Sequence, residues 1–380
     1  MTKSVVLEPI RGDRGATILG PRNEAIEREN PDLLASPETD AGTVPNLKFS
    51  FSAARTRLAT GGWAREVTER ELPAATTLAG VNMRLKPGGI RELHWHKQAE
   101  WGFMLAGHAR LTAIDPEGRN FLDDVAVGDI WNFPAGIPHS IQGLADGCEF
   151  LLVFDAGSFS ENETFLLSDW FTHTPRSILA KNFNAPESAF DRLPHDIERS
   201  RWVFAGGVPG PIELDAIDAP AGSAHFTHHL LAQEAIDAPG GKVRIVDSRN
   251  FPAASTIAAA LVEIEPGGMR ELHWHPNTDE WQYYVEGEAR MTVFASSEKA
   301  RTFDYQAGDV GYVPFAMGHY VENIGPGRLV FLEVFKSDHF ADVSLRQWLA
   351  LTPRDLVTQH LNVDAALLDR LGREKPIIVR

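Results

Sequence analysis

The sequence holds a single cysteine, Cys148, among 380 residues. No intrachain disulfide can form, which fits a reducing compartment. Cys148 lies beside Phe150-Leu151-Leu152 and reads as a small core residue rather than a reactive thiol. Positive charge is scarce too: 36 Lys and Arg stand against 52 Asp and Glu, for a net charge of −16. With no basic stripe to displace counterions from phosphates, nucleic acid is excluded as a partner. No apolar run approaches the roughly 20 residues that span a bilayer, and the first residues hold no apolar stretch of signal-peptide length. The expectation is a cytoplasmic protein with no membrane partner. Any anionic substrate must then be drawn in locally, by a metal and an arginine, against the average field.

What the sequence does contain is a repeat. Pro-Gly-Gly-Ile-Arg-Glu-Leu-His-Trp-His at 87–96 returns as Pro-Gly-Gly-Met-Arg-Glu-Leu-His-Trp-His at 266–275. The offset of about 180 residues also pairs Gly62 with Gly241, Gly107 with Gly287, Gly128-Asp129 with Gly308-Asp309, and Thr174-Pro175-Arg176 with Thr352-Pro353-Arg354. Two copies at this period mean a duplicated domain, not a solenoid, as the chain length also suggests. Within each copy, short alternating runs such as Val81-Asn82-Met83-Arg84-Leu85 are punctuated by Gly, Pro and Asp. They predict strands in a sandwich or barrel. Residues 165–183 and 343–361 have helical spacing, each broken at its Thr-Pro-Arg turn. The expected organisation is an N-terminal arm at 1–50, over the other domain or a neighbouring subunit. A first domain with C-terminal helices follows at 51–200, then a linker at 201–225 and a second such domain at 226–380. The tripeptide Arg11-Gly12-Asp13 reads as chance.

In a strand, residues i and i+2 share a face. His94 and His96 therefore point one way and Trp95 the other; His273, His275 and Trp274 repeat this. Glu100 and Glu280 add a carboxylate close by in sequence, and His139 and His319 complete each set from a distant strand. One isolated His-x-His is more often a core or surface pair. Two complete sets in register, using six of fourteen histidines, predict two metal sites. Three imidazoles and a carboxylate leave about two positions open on a six-coordinate ion and suit Mn or Fe. Neither set includes a thiol ligand, which counts against structural zinc.

The spacing resembles the cupin superfamily: Gly88, His94, His96, Glu100 and Gly107, then Gly267, His273, His275, Glu280 and Gly287. Its second motif appears as Gly128, Pro134, Gly136 and His139, with Gly143 in place of the usual Asn, and again as Gly308, Pro314, His319 and Asn323, with Ala316 in place of a glycine. These departures are expected to alter turns and spare the ligands. Within that superfamily the chain resembles the bacterial oxalate decarboxylases over nearly its whole length. The doubled Arg-Glu-Leu-His-Trp-His, Glu280-Trp281-Gln282-Tyr283-Tyr284 and the arm around Pro9-Ile10-Arg11-Gly12-Asp13 carry that likeness. The resemblance implies an all-β fold with accessory helices, two tandem cupin (double-stranded β-helix, or jelly-roll) barrels. It implies two Mn2+ per chain, dioxygen as a co-catalyst, oxalate converted to formate and carbon dioxide, and assembly as a hexamer.

The chemistry of the residues agrees. A Lewis-acidic ion binds one end of oxalate, Arg91 holds the other, and an acid/base group takes a proton and later returns one to carbon. Glu161, in Ser160-Glu161-Asn162-Glu163-Thr164, is the candidate, because the segment resembles the family's mobile lid with Glu163 replacing a Ser. The second half has Asp342 at the aligned position and Glu333 where the first half has Leu152. That makes Glu333 a candidate proton donor and Arg270 a candidate substrate contact. Trp95 and Trp274 are expected outside their barrels. The alternatives are an oxalate oxidase giving carbon dioxide and hydrogen peroxide, a non-enzymatic bicupin binding protein, and a bicupin dioxygenase for a larger substrate.

Overall fold

The computed structural model describes residues 20–194 and 202–380; the tripeptide Arg11-Gly12-Asp13 and the arm motif from Pro9 lie outside them. The chain forms two compact units. One comprises Ala54–Gln233 with Ser248–Ile257, and the other joins Glu234–Asp247 and Ala258–Arg380 to the arm ending at Ala53. Both are barrels of antiparallel strands with a few short helices, the expected jelly-roll architecture.

The barrel corners explain the recurring glycines. In the first unit Glu100–Ile114 and His139–Phe154 pair along most of their length, with register breaks around Gly107. Gly107 has φ +71°, and a Cβ there would meet the Gly147 carbonyl oxygen at 2.0 Å. Only glycine tolerates both conditions. At the matching corner Gly287, φ +88°, the second unit splits the same course into Glu280–Glu286 and Glu288–Phe294.

The edges were not evident from pattern. Val203–Ala205, expected within a linker, adds antiparallel to Gly89–Trp95. Thr227–His228 pairs with Ile130–Phe133, and Asn132 donates from Nδ2 to the Ala253 carbonyl at 2.6 Å. Residues 226–233 and 248–257 therefore pack with the first barrel. The arm extends the second: Lys48–Ser50 pairs with Asp309–Val313, and buried Asp40 accepts from the Thr302 amide and hydroxyl at 3.0 and 2.8 Å. The two expected helical segments form Leu167–Thr172 and Arg176–Phe183, then Leu345–Ala350 and Arg354–Leu361, broken at Pro175 and Pro353 because proline cannot continue a helix from its interior. Among the described residues no helix is long and apolar enough to cross a membrane. Cys148 is buried in the first core, and burial pushes its thiol up to about 12.

Candidate metal centres and their surroundings

Each half brings its four predicted ligands together. In His94, His96, Glu100 and His139, and again in His273, His275, Glu280 and His319, one ligand atom per residue lies within 4.8 Å of the others, and all eight side chains are buried. Strand pairing sets this up. His94 lies directly opposite His139 and His273 opposite His319, with ring centroids 4.2 Å apart in both halves.

The donors fit a cation. A backbone carbonyl only accepts, so a ring nitrogen bonded to one carries the proton. Nδ1 of His94 bonds the Glu92 carbonyl at 2.5 Å and His139 that of Ile137 at 2.8 Å. His273 bonds Glu271 at 2.6 Å, His275 bonds Ala341 at 2.8 Å and His319 bonds Met317 at 3.0 Å. Each ring then presents an unprotonated Nε2 inward, the usual arrangement for a ligating imidazole. Buried Nε2 atoms of His94, His96, His273, His275 and His319 have no hydrogen-bond partner. Burial holds His94, His96 and His273 well below the ordinary imidazole range, hence neutral. Glu100 Oε2 lies 3.2 Å from His139 Nε2, and Glu280 Oε2 lies 2.7 Å from His319 Nε2. Two lone-pair donors this close call for a positive charge between them.

The second carboxylate oxygen is held differently in the two halves. Trp131 donates from Nε1 to Glu100 Oε1 at 3.1 Å. In the other half Gln282 donates from Nε2 to Glu280 Oε1 at 2.8 Å, and the Tyr284 hydroxyl donates to Gln282 Oε1 at 2.8 Å. The donor comes from opposite strands of matching pairs: Gly102 faces Trp131 and Gln282 faces Gly311.

Strict alternation would place Arg91, three residues before His94, on the opposite face. A register break between the two shifts the phase, and both are buried while Leu93 is exposed. The same break separates Arg270 from His273. Arg91 donates from Nη2 to Glu161 Oε2 at 2.7 Å and to Thr164 Oγ1 at 3.4 Å, and from Nη1 to the Trp202 carbonyl at 3.2 Å. Its Nε and Glu161 Oε1 are buried without a partner. Glu161 opens the short helix Glu161–Glu163, capped by Ser160. Burial pushes its carboxyl up, against the pull of Arg91. Glu163 is exposed, so the extra carboxylate does not enter the buried site. Phe154 and Phe159, stacked at 3.6 Å, wall the site beside His96.

The second half uses its arginine otherwise. Arg270 donates from Nε to Glu333 Oε1 at 3.1 Å and from Nη2 to Asp342 Oδ2 at 2.6 Å. Asp342 is also gripped by Lys375, whose Nζ bonds the Asp342 carbonyl at 2.9 Å. Glu333 is fully buried and faces Gln282, as Leu152 faces Gly102. Trp95 stacks on Phe165 at 5.4 Å and meets Trp170 at 5.7 Å, and Trp274 meets Trp348 at 5.6 Å. Both face outward and are partly covered by the helical segments of their own unit. Trp131, Trp202 and Lys375 escaped the sequence reading, since nothing in local spacing points to side chains that meet only in the fold.

The cupin family model matches residues 50–189 and 228–367. Oxalate decarboxylase OxdC of Bacillus subtilis (strain 168) is 59% identical over 375 residues, covering 98% of this chain and 97% of that protein. A probable oxalate decarboxylase of Arthroderma benhamiae is 43% identical, covering 98% and 93%. A solved structure of the Bacillus subtilis oxalate decarboxylase, studied for its Mn(II) centres, superposes with a TM-score of 0.96 at 58% identity over 99% of this chain and all of the other. With its doubled cupin match and relatives aligned end to end, the chain belongs to the oxalate decarboxylases of the cupin family.

Proposed function

We propose that the protein is a manganese- and dioxygen-dependent oxalate decarboxylase, a carboxy-lyase, whose working centre is the first metal set. The observation that carries this is the unsatisfied Arg91–Glu161 pair buried at that set: a guanidinium with a free Nε beside a carboxyl with a free Oε1. Manganese with dioxygen, when bound, would supply a reversible one-electron oxidation of oxalate. His94, His96, Glu100 and His139 would hold the ion, beside one carboxylate of the substrate. Arg91 orients and polarises the other. Glu161 accepts the proton released on that side and later delivers one to the carbon left behind when the C–C bond breaks. Overall, oxalate and one proton give formate and carbon dioxide. The Phe154–Phe159 wall excludes water, favouring protonation of that carbon over its escape to oxidation.

The second set is read as a metal site with a different duty. Arg270 already meets two carboxylates, Glu333 and Asp342, and so has little charge left for an oxalate dianion. Glu333 is then a charge partner rather than a proton donor to substrate. The test is product partition in Glu161→Ala. Formate should fall on the order of a hundredfold, the usual worth of a positioned acid/base group, and the peroxide made per oxalate should rise. Unchanged formate output removes Glu161 from the mechanism, and peroxide as the main product of the wild type favours the oxidase.

A further inference from the structure

Outside the metal sets, one cavity of about 540 Å3 is lined by Arg55, Arg57, Arg65, Arg70, Glu66, Glu71 and a few neutral neighbours. Four arginines face two glutamates there, in a chain of net charge −16. Its rim includes Asn162, the residue after Glu161, and Arg57 donates from Nη1 to Asn162 Oδ1 at 3.4 Å. The Arg57 guanidinium lies over the Trp202 ring at 4.3 Å from its centroid, and Arg91 approaches the same ring at 5.7 Å. One indole thus separates a half-buried arginine at the cavity from the buried arginine of the metal site.

We propose that this cavity is a capture site for the oxalate dianion, with Arg57 its innermost contact before the Glu161 segment. The inference rests on the reading of oxalate as substrate. Its basis is electrostatic. A chain this acidic repels a dianion on average, and a recessed cluster with an excess of positive charge, four arginines against two glutamates, raises the local concentration of an anion. Of the arginines, Arg70 is committed to Glu66 at 2.8 Å and Arg65 donates to Asn82 at 2.9 Å. Arg55 is exposed, and the long 3.4 Å bond of Arg57 to a neutral amide is weaker than a charge-assisted one to a carboxylate. Oxalate at Arg57 competes with Asn162 for the same guanidinium, which couples arrival of substrate to release of the segment carrying Glu161.

The experiment compares the manganese-loaded wild type with the Arg55→Ala/Arg57→Gln double variant and with Arg57→Lys. Formate production is followed over oxalate concentration at several ionic strengths, with metal content measured to check folding. The double variant should lose about tenfold in kcat/KM at low salt, within the range of electrostatic focusing, mostly through KM. The fall of kcat/KM with salt seen in the wild type should flatten. Arg57→Lys, which keeps the charge, should retain that salt dependence. A double variant with wild-type salt dependence overturns the capture site and leaves the decarboxylase reading standing. A loss confined to kcat overturns it as well and makes Arg57 a positioning residue acting through Asn162. A change in oligomeric state that accounts for the loss overturns it in favour of a subunit contact. A wild type that makes no formate ends both readings together.

Discussion

Ala316 holds a left-handed backbone, φ 61°, where the first half has Gly136 at φ 81°. The loss of glycine was expected to alter the turn. Instead the turn survives: the Ala316 amide reaches the His275 carbonyl at 3.3 Å, as the Gly136 amide reaches that of His96 at 2.9 Å. A β-carbon in this conformation costs roughly 1–2 kcal/mol, and Ala316 is exposed, so no packing repays it. Ala316→Gly should therefore raise stability by about 1 kcal/mol, read as a higher Tm; an unchanged or lower Tm contradicts the strain. Glu161 carries a second residue-level cost. Its carboxyl is raised in the folded protein by burial, so the associated stability is fully present below the unfolded value of about 4.3 and is lost as pH rises through the folded value. Glu161→Gln lacks this titration. Its stability relative to the wild type should improve as pH rises above about 4.3 and through the raised folded value, and a pH-independent gap measured by denaturation contradicts the buried geometry.

At the scale of strands, one slot beside each metal carboxylate is filled from opposite sides. A Cβ on Gly102 would approach the Trp131 ring to 2.0 Å, and one on Gly311 would meet Gln282 Oε1 at 2.5 Å. A large residue on one strand therefore demands glycine on its partner. Trp131→Phe keeps the packing and removes the N–H that orients Glu100. Metal affinity of the first set should fall about ten- to a hundredfold with the second unaffected; competition against a chelator reads both. An equal loss at the two sets contradicts the local role. The two clusters of candidate ligands were legible from the repeat, because His-x-His in a strand is decided by a period of two and the repeat pointed to the third histidine and the glutamate. The inward turn of Arg91 was not, because the register break that reverses its face has no signature in alternation. Nor was the fate of Arg270, whose partners Glu333 and Asp342 lie 63 and 72 residues away and meet it only in the fold. The strand Val203–Ala205 looked like linker because its neighbours are Gly and Pro.

For the molecule as a whole, duplication yields two sets with equal ligands and unequal surroundings. The ligands predict two ions per chain, and His94→Ala and His273→Ala should each leave one. Elemental analysis decides this; a single ion in the wild type contradicts the doubled site. The surroundings predict that only the loss at the first set abolishes turnover directly, since Arg91 there has an unsatisfied Nε while Arg270 is balanced by two acids. The most direct test of the central claim is the product stoichiometry of the manganese-loaded wild type incubated with oxalate in air. The account predicts close to one formate per oxalate consumed, with little hydrogen peroxide. Peroxide in place of formate, or no oxalate consumed with both metals bound, would contradict it.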